Sequence, residues 1–151
     1  MKKLVFTMFL FVFMMIPIIG SFTKEIAYKV AEAAPVPSKD YILETLTIYH
    51  PTAKQCDSTP LVTASNKKID VNKLYKQQLR WMALSRNLLK RWKGDFNYGD
   101  TVMLTSGDAR IDGLWIIQDN LNKRYKNRGD LLFHSSVRKG GIWKNVKITK
   151  I

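Results

Sequence analysis

The chain has 151 residues, room for one domain and a short appendage but not for two full domains. At 46% hydrophobic and 25% charged residues it has the composition of a folding chain, which excludes a disordered tail. The single Cys56 excludes an internal disulfide framework, one Cys with two His argues against a Cys/His zinc cluster, and no internal repeat suggests a solenoid or propeller.

Lys2 and Lys3 precede a run from Leu4 to Ile19 that is apolar except for Thr7. As a helix those residues span roughly 24 Å, short of the ~30 Å hydrocarbon core of a bilayer. A basic start and a short apolar centre suit an export signal, with Gly20-Ser21 or Ala31-Glu32-Ala33 near a cleavage site, or an uncleaved anchor. A run without a polar face argues against a core helix, and no Cys follows it to take a lipid. Residues 1–34 are therefore expected to form a signal peptide or membrane anchor with a linker, and residues 35–151 the domain. The whole chain carries 25 Lys+Arg and 12 Asp+Glu, a balance of +13. The exported part would keep 21 and 10, or +11. Outside the cytoplasm that charge points away from nucleic acid and towards anionic envelope polymers, or serves only solubility. Membrane contact is expected only through the N-terminal segment.

Ala33-Ala34-Pro35-Val36-Pro37-Ser38 reads as a linker. From Tyr41 to Tyr49 β-branched and aromatic residues predict a strand. A turn-rich stretch follows to Ser58, and Leu61-Val62-Thr63-Ala64 is a short strand candidate. Asp70 to Leu79 predicts the one clear helix, with Asp70 as N-cap. Trp81 to Ser85 is a strand candidate, Arg86 to Trp92 a turn or single helical turn, and Thr101 to Thr105 a strand after the Asn97-Tyr98-Gly99-Asp100 turn. Leu114 to Asp119 is the strongest strand signal. Asp130 to Phe133 and Trp143 to Ile151 complete the series. Short strands at this spacing with one helix predict a small β-barrel. His50 and His134 lack a partner at metal-ligand spacing and are expected at the surface. No Gly-rich phosphate loop or ligand cluster is present, so no metal or organic cofactor is expected.

Several fragments recur in a telling order: Thr47-Ile48-Tyr49, Thr63-Ala64-Ser65-Asn66, Met82-Ala83-Leu84-Ser85, Gly99-Asp100-Thr101-Val102-Met103-Leu104, Ile117-Gln118-Asp119-Asn120 and Gly129-Asp130-Leu131. Together they resemble the double-psi β-barrel superfamily of wall-active proteins: the three-aspartate domain, the rare-lipoprotein-A-like domain and the catalytic barrel of lytic transglycosylase A. The resemblance covers residues 42 to 151. It implies a mainly β fold, a six-stranded double-psi barrel with one or two short helices behind the N-terminal signal or anchor. It implies peptidoglycan glycan strands as the partner. Departures are also plain. Ser85 stands where the three-aspartate domain has its first Asp, Asn66 replaces a turn Gly, and the D-T-G turn has become Asp119-Asn120-Leu121-Asn122.

The resemblance makes Asp119 the expected acid/base for glycosidic cleavage, with Asp130 holding it or a sugar hydroxyl. A transglycosylase needs one such group, because the sugar's own 6-hydroxyl is the nucleophile. Desolvation at a barrel mouth would raise a carboxyl pKa towards that task. Asp119 equally suits a strand-end turn cap, and Gly129-Asp130 an ordinary turn. Substrate contacts are expected from Tyr49, Thr63, Ser85, Arg86, Asn122 and Arg124, with the arginines, Arg128 included, pairing muropeptide carboxylates or forming a solvated basic face. The alternative to an enzyme is a non-catalytic module of the same fold that binds peptidoglycan or an envelope partner.

Overall fold

A computed structural model describes residues 38–56 and 58–151, and the predicted signal or anchor lies outside them. Six strands carry the described chain: β1 (Asp40–Tyr49), β2 (Trp81–Leu84), β3 (Thr101–Thr105), β4 (Gly113–Asn120), β5 (Arg128–Leu132) and β6 (Trp143–Lys150). They close into a barrel in the order β1-β5-β2-β4-β3-β6. Closure gives each of these six strands a paired neighbour on both sides. The pairs β1–β5 and β2–β4 are parallel, and the other four are antiparallel. Mapping β1, β2 and β3 onto β4, β5 and β6 reproduces every pairing and its direction. The topology therefore has an internal twofold symmetry.

The predicted strands are present with ends shifted by a residue or two. The expected helix is shorter: α1 runs only over Val71–Tyr75, capped by Asp70, whose carboxylate accepts from Lys73 N at 3.0 Å. Gln77, with a φ of +56°, turns the chain out of the helical path. Only Leu74 of this helix is buried, too little apolar surface to sustain a longer one. The Leu61–Ala64 candidate makes a single bridge, Val62 to Lys68, rather than a strand. Arg86–Leu88 and Lys90–Trp92 form two 3-10 turns.

Inside the barrel Leu43, Leu46, Met82, Leu84, Val102, Leu104, Trp115, Ile117, Leu131, Val146 and Ile148 form one apolar cluster. Each strand contributes at least one of them, so burial of this cluster stabilises closure as a unit. Gly129 leaves room for core side chains where β5 pairs with β1. A Cβ there would lie 2.9 Å from Leu43 Cδ1 and 3.0 Å from Leu46 Cδ1. His50 corrects the surface expectation. It is buried, with Nδ1 3.0 Å from the Phe133 carbonyl and Nε2 3.1 Å from the Lys139 carbonyl. The ring ties the end of β1 to the segment between β5 and β6, a long-range contact that local pattern does not encode.

Candidate functional site

The site grows from one cross-strand row. In the parallel β1–β5 pair Thr47 stands beside Asp130. Antiparallel pairing of β5 with β2 sets Asp130 beside Ala83, and parallel pairing of β2 with β4 sets Ala83 beside Asp119. Thr47, Asp130, Ala83 and Asp119 thus follow one another across four adjacent strands, and all four line one groove of about 790 Å³. Residues side by side in a row project to the same side of a sheet. Ala83 lies between the two acids with only a methyl group, which leaves the space between them open.

A bulge builds this row. Met82 pairs with Ile117, but the next residue, Ala83, pairs with Asp119, so Gln118 is the extra residue. Had the strands kept step, Ala83 would face Gln118, and Asp119 would stand opposite the core residue Leu84. The displaced residue is held in place. Gln118 Oε1 accepts from the Ser65 hydroxyl at 2.6 Å, and its carbonyl accepts from Ser65 N at 3.1 Å. Bulges re-aim side chains in this way at functional rims.

The Thr63–Asn66 turn is the second support. Asn66 takes the left-handed conformation, φ +62°, which asparagine adopts more readily than most residues. The turn carries Ala64 N to within 3.0 Å of Asp119 Oδ1, which also accepts from Asn120 N at 2.8 Å. Asp119 Oδ2 accepts from the Tyr49 hydroxyl at 3.2 Å. Two backbone N–H groups and a phenol converge on this carboxylate. Tyr49 in turn is pushed well above its ordinary pKa by burial and by the Asp119 charge, so it remains a donor.

Asp130 is treated differently. Its pKa is raised, first by burial, with a smaller upward push from Asp119, against the lowering effects of the Thr47 hydroxyl bond and Arg128. The Thr47 hydroxyl donates to Asp130 Oδ1. Asp119 thus takes up donors from two peptides and a phenol, whereas Asp130, bonded by Thr47, is pressed towards its neutral form by burial. A carboxyl group raised by burial in a groove is a common feature of acid/base sites.

The remaining expected residues divide. Tyr49, Thr63, Arg86, Asn122 and Arg124 all line the groove. Thr63 is itself buried, and its hydroxyl is shared with the Ser65 hydroxyl at 2.9 Å, so it supports the turn. Ser85 is fully buried and is not part of the groove lining. Its hydroxyl accepts from Arg128 N at 3.0 Å, and its N–H donates to the Arg128 carbonyl at 2.9 Å, pinning the start of β5. Ser85 thus acts on the site through the backbone two residues before Asp130, not by touching a ligand. Sequence reading missed Thr47 as the Asp130 partner, Ala83 as the spacer and Gln118 as the bulge. Thr47 was visible in the T-x-Y fragment, whereas the other two depend on register. Among the described residues no group of three or more His, Cys, Asp or Glu is placed to hold a metal ion. Comparison of the chain with family models and with curated proteins finds no match.

Proposed function

We propose that this chain is an exported, peptidoglycan-active protein with a double-psi barrel, which cleaves glycan strands as lytic transglycosylases do. The observation that carries the reading is the Thr47–Asp130–Ala83–Asp119 row on one groove wall. The crossed parallel pairs and internal twofold of the barrel support the double-psi assignment. The N-terminal basic and apolar segment supports export.

The geometry favours exchanging the roles first assigned to the two acids. Asp130, with its raised pKa, is the better proton donor. It protonates the glycosidic oxygen as the bond to C1 breaks, and the departing sugar leaves as an alcohol. Asp119, held in place by its three hydrogen-bond donors, faces the positive charge that develops at the ring. The 6-hydroxyl of the same sugar then attacks C1 and returns its proton to Asp130. The product is a 1,6-anhydro sugar, no water is consumed, and Asp130 ends as it began.

The test is incubation of the full-length protein, in mild detergent, with purified wall sacculi, followed by analysis of the soluble fragments. Wild type is expected to release 1,6-anhydro products, and Asp130→Asn to lose about two to four orders of magnitude in rate. Products undiminished in Asp130→Asn would remove that residue from the chemistry. Sacculi that retain the protein without any product would select a binding module instead.

A further inference from the structure

The groove has a second chemistry beyond its carboxylates. β2 and β4 run parallel and end together, Leu84 beside Asn120. The segments that leave these paired ends carry Arg86, Asn122 and Arg124, and all three line the groove. Arg86 follows Ala83 by three residues, so its backbone is at most about 10 Å from the row of acids. Among the described residues neither Arg86 nor Arg124 forms an ion pair, although five other cations do. Arg86 Nε is buried without a hydrogen-bond partner. Its guanidinium lies 5.1 Å from the centre of the Trp92 ring, and that of Arg124 lies 4.7 Å from the centre of the Tyr125 ring. The Asn122 side chain accepts from Arg124 N at 3.2 Å and fixes the turn that carries it. Arg124 Nη2 also donates to the Tyr125 hydroxyl at 2.8 Å, and contact with a ring restrains a guanidinium while leaving its remaining N–H groups able to donate. A restrained guanidinium loses little further entropy when it takes up a carboxylate.

We infer that Arg86 and Arg124 form an anion subsite that takes a carboxylate of the bound glycan, so that the groove selects acidic sugar strands over neutral ones. The inference rests on the glycan reading above and deepens it. Carboxylates cannot bind beside Asp119 and Asp130 without repulsion, so the charge pattern also orients the strand. Its acidic substituent lies at the arginine end and the scissile bond at the acid row.

Three ligands separate the terms: peptide-free wall glycan with its lactyl carboxylates exposed, the same material with those carboxylates converted to methylamides, and a neutral chitin oligosaccharide. Binding to the full-length protein in detergent is measured by calorimetry or fluorescence, with Asp130→Asn as background so that nothing is cleaved. The acidic glycan is expected to bind about tenfold or more tightly than its methylamide. In Arg124→Gln, and further in the double variant with Arg86→Gln, that preference collapses towards equal affinity for the acidic glycan and its methylamide. Arg86→Lys keeps the charge and the fold but not the forked donor, and retains part of the preference. Equal affinity for the acid and its methylamide, or a preference that survives the double variant, overturns the subsite alone. Failure to bind any of the three ligands overturns the glycan reading and the subsite with it.

Discussion

Neutralising either acid of the row should change stability, and the two changes should have opposite signs. Asp130 and Asp119 are separated by one intervening strand, so their backbones lie about 9.6 Å apart. Two unit charges at that distance repel by about 1.7 kcal/mol at an effective dielectric of about 20 and by about 0.4 kcal/mol in bulk water. Asp130→Asn removes this repulsion and the cost of burying a charge while keeping an acceptor for Thr47. It should therefore stabilise the barrel at pH 7 by about 0.4 to 1.7 kcal/mol, or about 2 to 7 °C in Tm. The pH dependence follows from the raised folded-state pKa of Asp130, set chiefly by burial. Below the ordinary value of 3.8 the group is protonated in both folded and unfolded chains, and the variant gains nothing. As pH rises from there through the folded-state pKa, ionisation increasingly opposes folding, and the advantage of the variant grows to its plateau. Asp119→Ala acts the other way. It relieves the same repulsion but strips Ala64 N and Asn120 N of their acceptor, at about 1 to 3 kcal/mol, and the net effect should be a loss of stability at pH 7. Thermal unfolding followed by circular dichroism at pH 7 and pH 3 reads both variants. An Asp130→Asn protein that is less stable than wild type at pH 7, or equally favoured at both pH values, would refute the reasoning.

Three further outcomes follow from the same contacts. Ser85→Ala leaves Arg128 N without its hydroxyl partner inside the barrel and should cost about 1 to 3 kcal/mol in urea unfolding. Gly129→Val forces methyl groups into Leu43, Leu46 and Met82, and should destabilise by about 1 to 3 kcal/mol while displacing Asp130, seen as a loss of both Tm and activity. Asp108 is held well below the usual carboxylate range, first by the Arg110 side chain and also by Trp143 N–H. A depressed pKa contributes stability above 3.8 that fades as pH falls. Asp108→Asn should therefore be less stable than wild type at pH 7, with the gap closing below pH 3 in acid titrations followed by fluorescence.

Strand positions were largely legible, because β-branched and aromatic runs broken by turn residues mark strands locally. Their order was not. β5 lies between β1 and β2, and β4 lies on the far side of β2, so two acids eleven positions apart in sequence meet across a strand that neither adjoins in the chain. Alternation along β4 places Asp119 on the same side as the buried Trp115 and Ile117. Only the extra residue Gln118 reverses that, and a bulge has no local signature here. The fate of Ser85 was equally hidden, since a serine at a strand end is compatible with a groove or with a buried pin. His50 misled for the same reason, because its partners lie 83 and 89 positions away.

The twofold pattern of strand pairing carries Asp130 onto Ala83 and Asp119 onto Thr47. The frame is thus built twice and the acids are mounted once. Neither Ala83 nor Thr47 belongs to the central apolar cluster. One symmetry-related position carries Thr47, which bonds Asp130, and the other carries the small buried Ala83, so two halves built to one plan hold different chemical groups at matching places.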